Sequence, residues 1–378
     1  MAVALVAGCG GGDDDDTRVR GDTLTVYAGA PAHGTWAAAG DAALDGARRA
    51  LSDAGGRAAG RRVRLVALPS TRPGDDNWDP GTVEAGAERA VEDPTAIAYL
   101  GEVDRGASAV SLPVTNRAGL VQVSPTDGLT SLTVAPPGRP RAGPARYYPE
   151  EKRTFERVVR PDLPVARGML SRVPRAAARR VAVVHTEGFA ERELAGILAF
   201  RLRRARRPAL LVEPLRDDPD APRALVDELV AKRPGAILLS AQRGGPSRAL
   251  LRALAARLPA VPVIAGPELA DGRAPGTVPG RAEAVTALLP GRLQPRRGRK
   301  LLRSLGTQDP HALYGYEAMT LVLRAIETAG PDRARVIAAA VRAPHRAGVV
   351  RESGLALVEL GAGTHPPAVL LRQAAPSN

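Results

Sequence analysis

From residue 22 onward, short apolar runs alternate with amphipathic stretches, and this alternation constrains the fold more than any other feature of the chain. Leu24-Thr25-Val26-Tyr27 reads as a strand and is followed by a glycine-rich turn. Ala43, Ala47, Ala50 and Ala54, with Leu44 and Leu51 beside them, then share one helix face. A strand at 63–68, a helix marked by Val83, Ala87, Ala90 and Val91, and a strand at 96–100 come next. Val110, Val114 and Ala118 give a further helix face before the strand at 120–123. This β-α-β-α order predicts parallel strands covered on both faces by helices.

The pattern breaks at Pro136-Pro137-Gly138-Arg139-Pro140 and the break continues to Pro144. Such a stretch can be neither helix nor central strand, so it reads as a crossing between two units. The alternation then restarts, with strands at 181–184, 209–212, 236–239 and 261–264. Between them lie a helix with Leu194, Ile197, Leu198 and Leu202 on one face, and helices at 221–232 and 246–257. A long helix carries Ala318, Leu321, Val322, Ala325, Ile326 and Ala329 on one side and is stopped by Gly330-Pro331. Another runs through Val336, Ile337, Ala340 and Val341, and a hairpin is expected from 355–360 and 368–371 around Gly361-Ala362-Gly363. The same order occurring twice predicts an α/β protein of two doubly wound parallel-sheet lobes.

The net charge of +13 does not point to nucleic acid. Lysine occurs only at Lys152, Lys232 and Lys300, the arginines are scattered over helices, and a 3% aromatic content leaves few rings to stack on bases. The single cysteine, Cys9, excludes a disulfide framework. It follows Leu5-Val6-Ala7-Gly8 and precedes Gly10-Gly11-Gly12 and four aspartates. That order is a bacterial lipid-attachment motif with a solvated tether, or else a disordered N-terminus with an incidental thiol. Only eight residues precede Cys9 and none is basic, which departs from the charged leader of such motifs. No segment has the roughly 18 apolar residues that a membrane span needs.

No phosphate-binding or dinucleotide-binding glycine loop and no nucleophile elbow is present. The five histidines (His33, His185, His311, His345, His365) lie far apart and read as packing or surface residues. The chain is accordingly expected to be no enzyme and to need no cofactor or metal. Trp36, in the first strand-to-helix loop, is a candidate cover for a ligand, whereas Trp78 beside Asp79-Pro80 reads as a packing anchor.

Particular stretches carry a resemblance. They are Ala98-Tyr99-Leu100-Gly101-Glu102, Gly106-Ala107-Ser108-Ala109, Asn116-Arg117-Ala118-Gly119-Leu120 and Val123-Ser124-Pro125. To these add Arg180-Val181-Ala182-Val183-Val184-His185, Ala265-Gly266-Pro267-Glu268 and Tyr314-Gly315-Tyr316-Glu317-Ala318-Met319. In this order they resemble the branched-chain amino-acid-binding proteins of ABC importers, which have the type I periplasmic binding protein fold. The resemblance runs from about residue 22 to the C-terminus.

It implies two lobes joined by a three-crossing hinge, with the ligand in the cleft where the carboxyl ends of the strands meet. The tether would be 1–21, lobe I 22–136 and 287–352, and lobe II 145–286 and 353–378, with the first crossing at 137–144. The second crossing would lie around 284–289 and the third near Ser353. Carried over by position, the pocket would draw on Arg105 and Ser108 after the strand at 96–100, and on Thr126 and Asp127 after Ser124-Pro125. Phe189, Gln242 and Glu268 would follow from lobe II, Glu268 at the place of the family's amine-binding acid, with Trp36 as the cover. Arg105 and Gln242 stand where the family has a hydroxyl residue and a tyrosine, and Gly128 where it has a threonine. Arg105 is either a carboxylate ligand or a solvated arginine, and Asp127 either a ligand or a turn residue. The expected function is an extracytoplasmic, lipid-anchored, monomeric receptor for an amino acid or related polar solute. Its partner would be the membrane permease, and it would not bind nucleic acid. A sensory or degenerate module of the same fold is the alternative, and a doubly wound enzyme a lesser one.

Overall fold

A computed structural model describes residues 17–270, 282–342, 348–350, 354–360 and 367–371. Cys9 with its flanking run, His345, Ser353, Gly361-Ala362-Gly363 and His365 lie outside the described residues. The chain begins with β1 (Thr23–Ala30), α1 (Ala37–Asp53), β2 (Arg57–Ala58), β3 (Arg61–Pro69), α2 (Pro80–Glu92) and β4 (Ala96–Leu100). α3 (Ser108–Arg117), β5 (Val121–Ser124) and β6 (Phe155–Arg157) complete a first sheet of order β2-β3-β1-β4-β5-β6. All its pairings are parallel except β2 with β3. Along β1, Leu24, Val26 and Ala28 join one core with residues of α1 and, later in the chain, 318–326, while Tyr27 joins another with Leu68 and Ala90. The run reads as continuously apolar because both faces of the sheet are covered.

The second half contains α4 (Asp162–Arg172), β7 (Val181–His185), α5 (Phe189–Arg204), β8 (Leu211–Pro214), α6 (Ala221–Lys232), β9 (Ala236–Ser240) and α7 (Gly245–Arg257). β10 (Val263–Ala265), β11 (Ala282–Thr286), α8 (Arg296–Ser304), α9 (His311–Ala329), α10 (Arg333–Arg342), β12 (Ala356–Glu359) and β13 (Ala368–Leu370) follow. Its sheet has the order β13-β12-β11-β10-β9-β7-β8, parallel from β8 to β11 and closed by the antiparallel β12–β13 hairpin. Val181 and Val183 face one core and Ala182 and Val184 the other. The fold is thus two α/β lobes with parallel-dominated sheets and flanking helices.

Three sequence expectations need correction. The Pro-rich stretch is not the crossing: Tyr147 and Tyr148 after it pack with Leu112, Leu129 and Phe155, and β6 pairs in parallel with β5. The chain therefore remains with the first sheet through Arg157 and leaves it just before α4, not at 137–144. On α3 the residues at 110, 114 and 118 are only half-buried, and the inward face is Ser108, Ser111, Leu112, Thr115 and Asn116. That face is polar because it lies over the buried side chain of Gln122 on β5. Gln122 donates to Ser111 Oγ at 2.9 Å and accepts from Thr115 at 2.8 Å. Nor does the tether reach residue 21. Val19 is buried, its N–H donates to Pro331 O, and Arg333 N donates to Thr17 O.

The signature at 314–319 braces the connections between lobes. Tyr314 Oη accepts from Leu289 N and donates to Ala287 O, pinning the chain where it leaves β11. Glu317 accepts from Val349 N at 2.7 Å, pinning the approach to β12. Gly315 and Gly46 let α9 and α1 touch: a Cβ would lie 2.0 Å from Ala43 O at the first and 1.8 Å from Ala312 O at the second. Gly196, in the middle of α5, has open space around it. Gly315→Ala is expected to destabilise the protein by about 1–3 kcal/mol through overpacking. Gly196→Ala should stabilise it by about 0.5–1 kcal/mol through helix propensity. Urea midpoints of the two variants read the opposite signs directly.

A cleft between the two sheets as the candidate binding site

In each sheet the strand order reverses beside the first strand of the lobe, β1 and β7. The loops leaving the carboxyl ends there diverge to opposite faces of the sheet and open a crevice. The loops after β1, β3, β4 and β5 face those after β9, β10 and β11 across a cavity of about 530 Å³. Trp36 closes the short turn after β1, and this loop is tied to the one after β3 by Ala32 N and His33 N donating to Thr71 Oγ1. The Arg243 guanidinium lies 4.0 Å above the Trp36 ring, and His311 meets the same ring edge-on. Trp78, from the loop after β3, lines the cavity and stacks on Phe189 of the other lobe at 6.0 Å.

Arg105 dominates the electrostatics. Nη1 and Nη2 donate to Asp162 Oδ1 and Oδ2 at 2.9 and 2.8 Å, a planar fork onto a carboxylate. Nε lies 2.8 Å from Glu268 Oε1, although its N–H is not directed at that oxygen. Asp162 begins α4 and Glu268 follows β10, so one lobe I arginine holds two lobe II acids. Buried Glu191, on the first turn of α5, is a third acid near this arginine. Burial and the Glu268 charge both push its carboxyl up, while Arg105 opposes. Glu268 is also raised by burial, against the pull of Arg105 and Arg243. Two guanidiniums oppose the rise of Glu268 and only Arg105 opposes that of Glu191, which burial pushes up to about 8. Burial also pushes Asp104, which accepts from Ser70, to about 7, with Glu268 and Asp127 adding to the rise. It pushes Glu102, beneath the loop, to about 8.

Trp36, Arg105, Thr126, Gln242 and Glu268 all lie in the cavity wall. Thr126 donates its hydroxyl proton to Val103 O. The Gln242 amide makes no hydrogen bond to another described residue, and neither does that of Asn77. Ser108 and Asp127 are buried inside lobe I and do not line the cavity. Asp127 accepts from the N–H groups of Gly106, Ser108 and Leu129, which makes it a loop brace. Phe189 sits behind Trp78 rather than in the wall, and Trp78, expected only to anchor packing, is in it. Asp104, Arg160, Asp162 and His311 also reach the wall and were not anticipated. Asp162 carried one usable signal, the Pro161-Asp162 start of a helix; the others stand in no recognisable pattern. Asp309 Oδ1 accepts from the His311 backbone N–H and lies 2.7 Å from Nδ1 of the same residue. Among the described residues no group of three or more His, Cys, Asp or Glu could hold a metal ion, and no helix is long and apolar enough to cross a membrane.

The buried acids make stability pH-dependent with a defined sign. Glu102 and Asp104 bind protons in the folded chain up to about 8 and about 7, whereas exposed carboxyls ionise near 4. Between these limits the folded state holds more protons, so stability falls as pH rises. The melting temperature is expected to be higher at pH 5 than at pH 8, and Glu102→Gln should make the decline shallower. A melting temperature that climbs from pH 5 to pH 8 contradicts the assignment.

No protein-family model and no curated protein sequence matches the chain. Solved structures do. A solute-binding protein of an ABC transporter from R. palustris, in complex with benzoate, is 18% identical and has a TM-score of 0.72 over 92% of this chain and 95% of its own. The leucine-binding protein LivK of Thermotoga maritima MSB8 is 17% identical, with a TM-score of 0.73 over 93% and 99%. The isoleucine complex of LivJ from Streptococcus pneumoniae is 13% identical, with a TM-score of 0.70 over 92% and 100%. With its two sheets, strand orders and inter-lobe crevice, the chain has the type I periplasmic binding protein fold of the ABC-transporter solute-binding proteins.

Proposed function

We propose that this chain is the extracytoplasmic solute-binding subunit of an ABC importer, which closes two lobes around one small polar solute and presents it to a membrane permease. The observation that carries this reading is the cavity itself. Its wall is built from strand-end loops of both lobes, so a ligand seated there touches both and stabilises their approach. Its volume suits a molecule of amino-acid to aromatic-acid size. Of the three solved structures named above, one is a leucine-binding protein and the other two hold isoleucine and benzoate. Cys9, lipidated, would hold a monomeric body at the membrane on the Gly-Asp tether.

A second reading, a sensory module or one that no longer binds, draws on the contacts that already join the lobes. Besides Arg105 and the Trp78–Phe189 stack, Glu193 of α5 accepts from Thr130 N and Ser131 N of lobe I. A thermal-shift screen against amino acids, amides and small carboxylates separates the two readings. A native-state ligand at a hundred times its Kd adds about 2.7 kcal/mol. Gln242→Ala should weaken such a hit about 5- to 10-fold by removing one hydrogen bond. Silence across the library sinks the transport reading.

A further inference from the structure

We infer that Arg105 is a built-in cation that occupies the acidic subsite of Asp162 and Glu268, so that the cavity selects organic carboxylates lacking an ammonium group. The inference rests on the solute-binding reading above and names its ligand class. Among the described residues, the acids on the lobe II side of the wall are Asp162 and Glu268, and both are already held by one guanidinium. An incoming ammonium has to displace Arg105 from Glu268 without water to replace the lost contact, because the Arg105 and Glu268 side chains are only 12% and 9% exposed. With those acids neutralised from within, the remaining charge of the described wall residues is mainly cationic. Arg160 and, at the rim, Arg292 line the cavity, while Asp104 is the remaining acid among the described residues of the wall, and burial raises its carboxyl to about 7. The Asn77 and Gln242 amides offer N–H donors for carboxylate oxygens. Trp36 and Trp78 offer faces for a flat or branched apolar body.

The test compares matched pairs that differ only by the amine: leucine with 4-methylpentanoate, and phenylalanine with 3-phenylpropanoate. Calorimetric titration of the full chain is expected to give at least 10-fold tighter binding for the des-amino member of each pair that binds. Arg105→Met frees Glu268 and should narrow or invert that preference. Should this variant fail to fold, Glu268→Gln answers the same question. The inference requires it to change both affinities of a pair by a similar factor. Amino acids bound as tightly as their des-amino partners by the wild type, with selective loss in Glu268→Gln, would overturn the inference and leave the solute-binding reading intact. Absence of binding by all four compounds and by benzoate would overturn the inference, while the wider thermal-shift screen decides the solute-binding reading separately.

Discussion

Neighbouring strands of a parallel sheet can be joined only by a crossover that returns to the other end of the sheet, usually through a helix, and every such crossover leaves from the same edge. That constraint places the residues of this cleft. Trp36, Trp78, Arg105, Thr126, Gln242 and Glu268 are far apart in the chain, yet each stands in a loop that leaves a strand at the carboxyl edge of its sheet. The second requirement is that these loops be rigid, and buried hydrogen bonds supply it. Asp127 collects three backbone N–H groups, Ser124 Oγ donates to Glu102 O, and Gln122 ties α3 to β4 and β5. A loop held in this way presents its side chains without an entropic cost at the moment of binding.

The same region concentrates acid groups that are largely withdrawn from water. Glu102, Asp104, Asp127, Asp162, Glu191 and Glu268 are all buried. Such crowding is tolerable only if some carboxyls keep their protons and others find guanidinium or amide partners. Arg105 is the main partner, and because it comes from one lobe and its acids from the other, neutralising the acids also joins the lobes. Electrostatic satisfaction and lobe geometry are therefore one problem here. Any change at Arg105 reaches both.

The strand–helix alternation was legible along most of the chain because buried parallel strands and amphipathic helices have different periods. Helix α6 matches its sequence span to the residue, and the β12–β13 hairpin lies where the apolar runs placed it. The alternation misled where polarity is internal. Apart from Leu112, the inward face of α3 is serine, threonine and asparagine, which periodicity assigns to solvent. The prolines at 136–144 read as an exit, but tyrosines after them return the chain to the first core. Ser108 and Asp127 carry the right atoms for a ligand yet spend them on backbone.

What the sequence determined by itself is the α/β class, the repetition of a doubly wound unit and the order of its elements. These follow from local spacing, which the chain carries in one dimension. What only the tertiary structure decided is the partner of each loop residue. Whether Arg105 faces a ligand, solvent or Glu268 depends on groups 57 and more positions away, from Asp162 onward, brought within 3 Å by packing of the two lobes. Ion pairing acts through space and leaves no periodic trace along a chain.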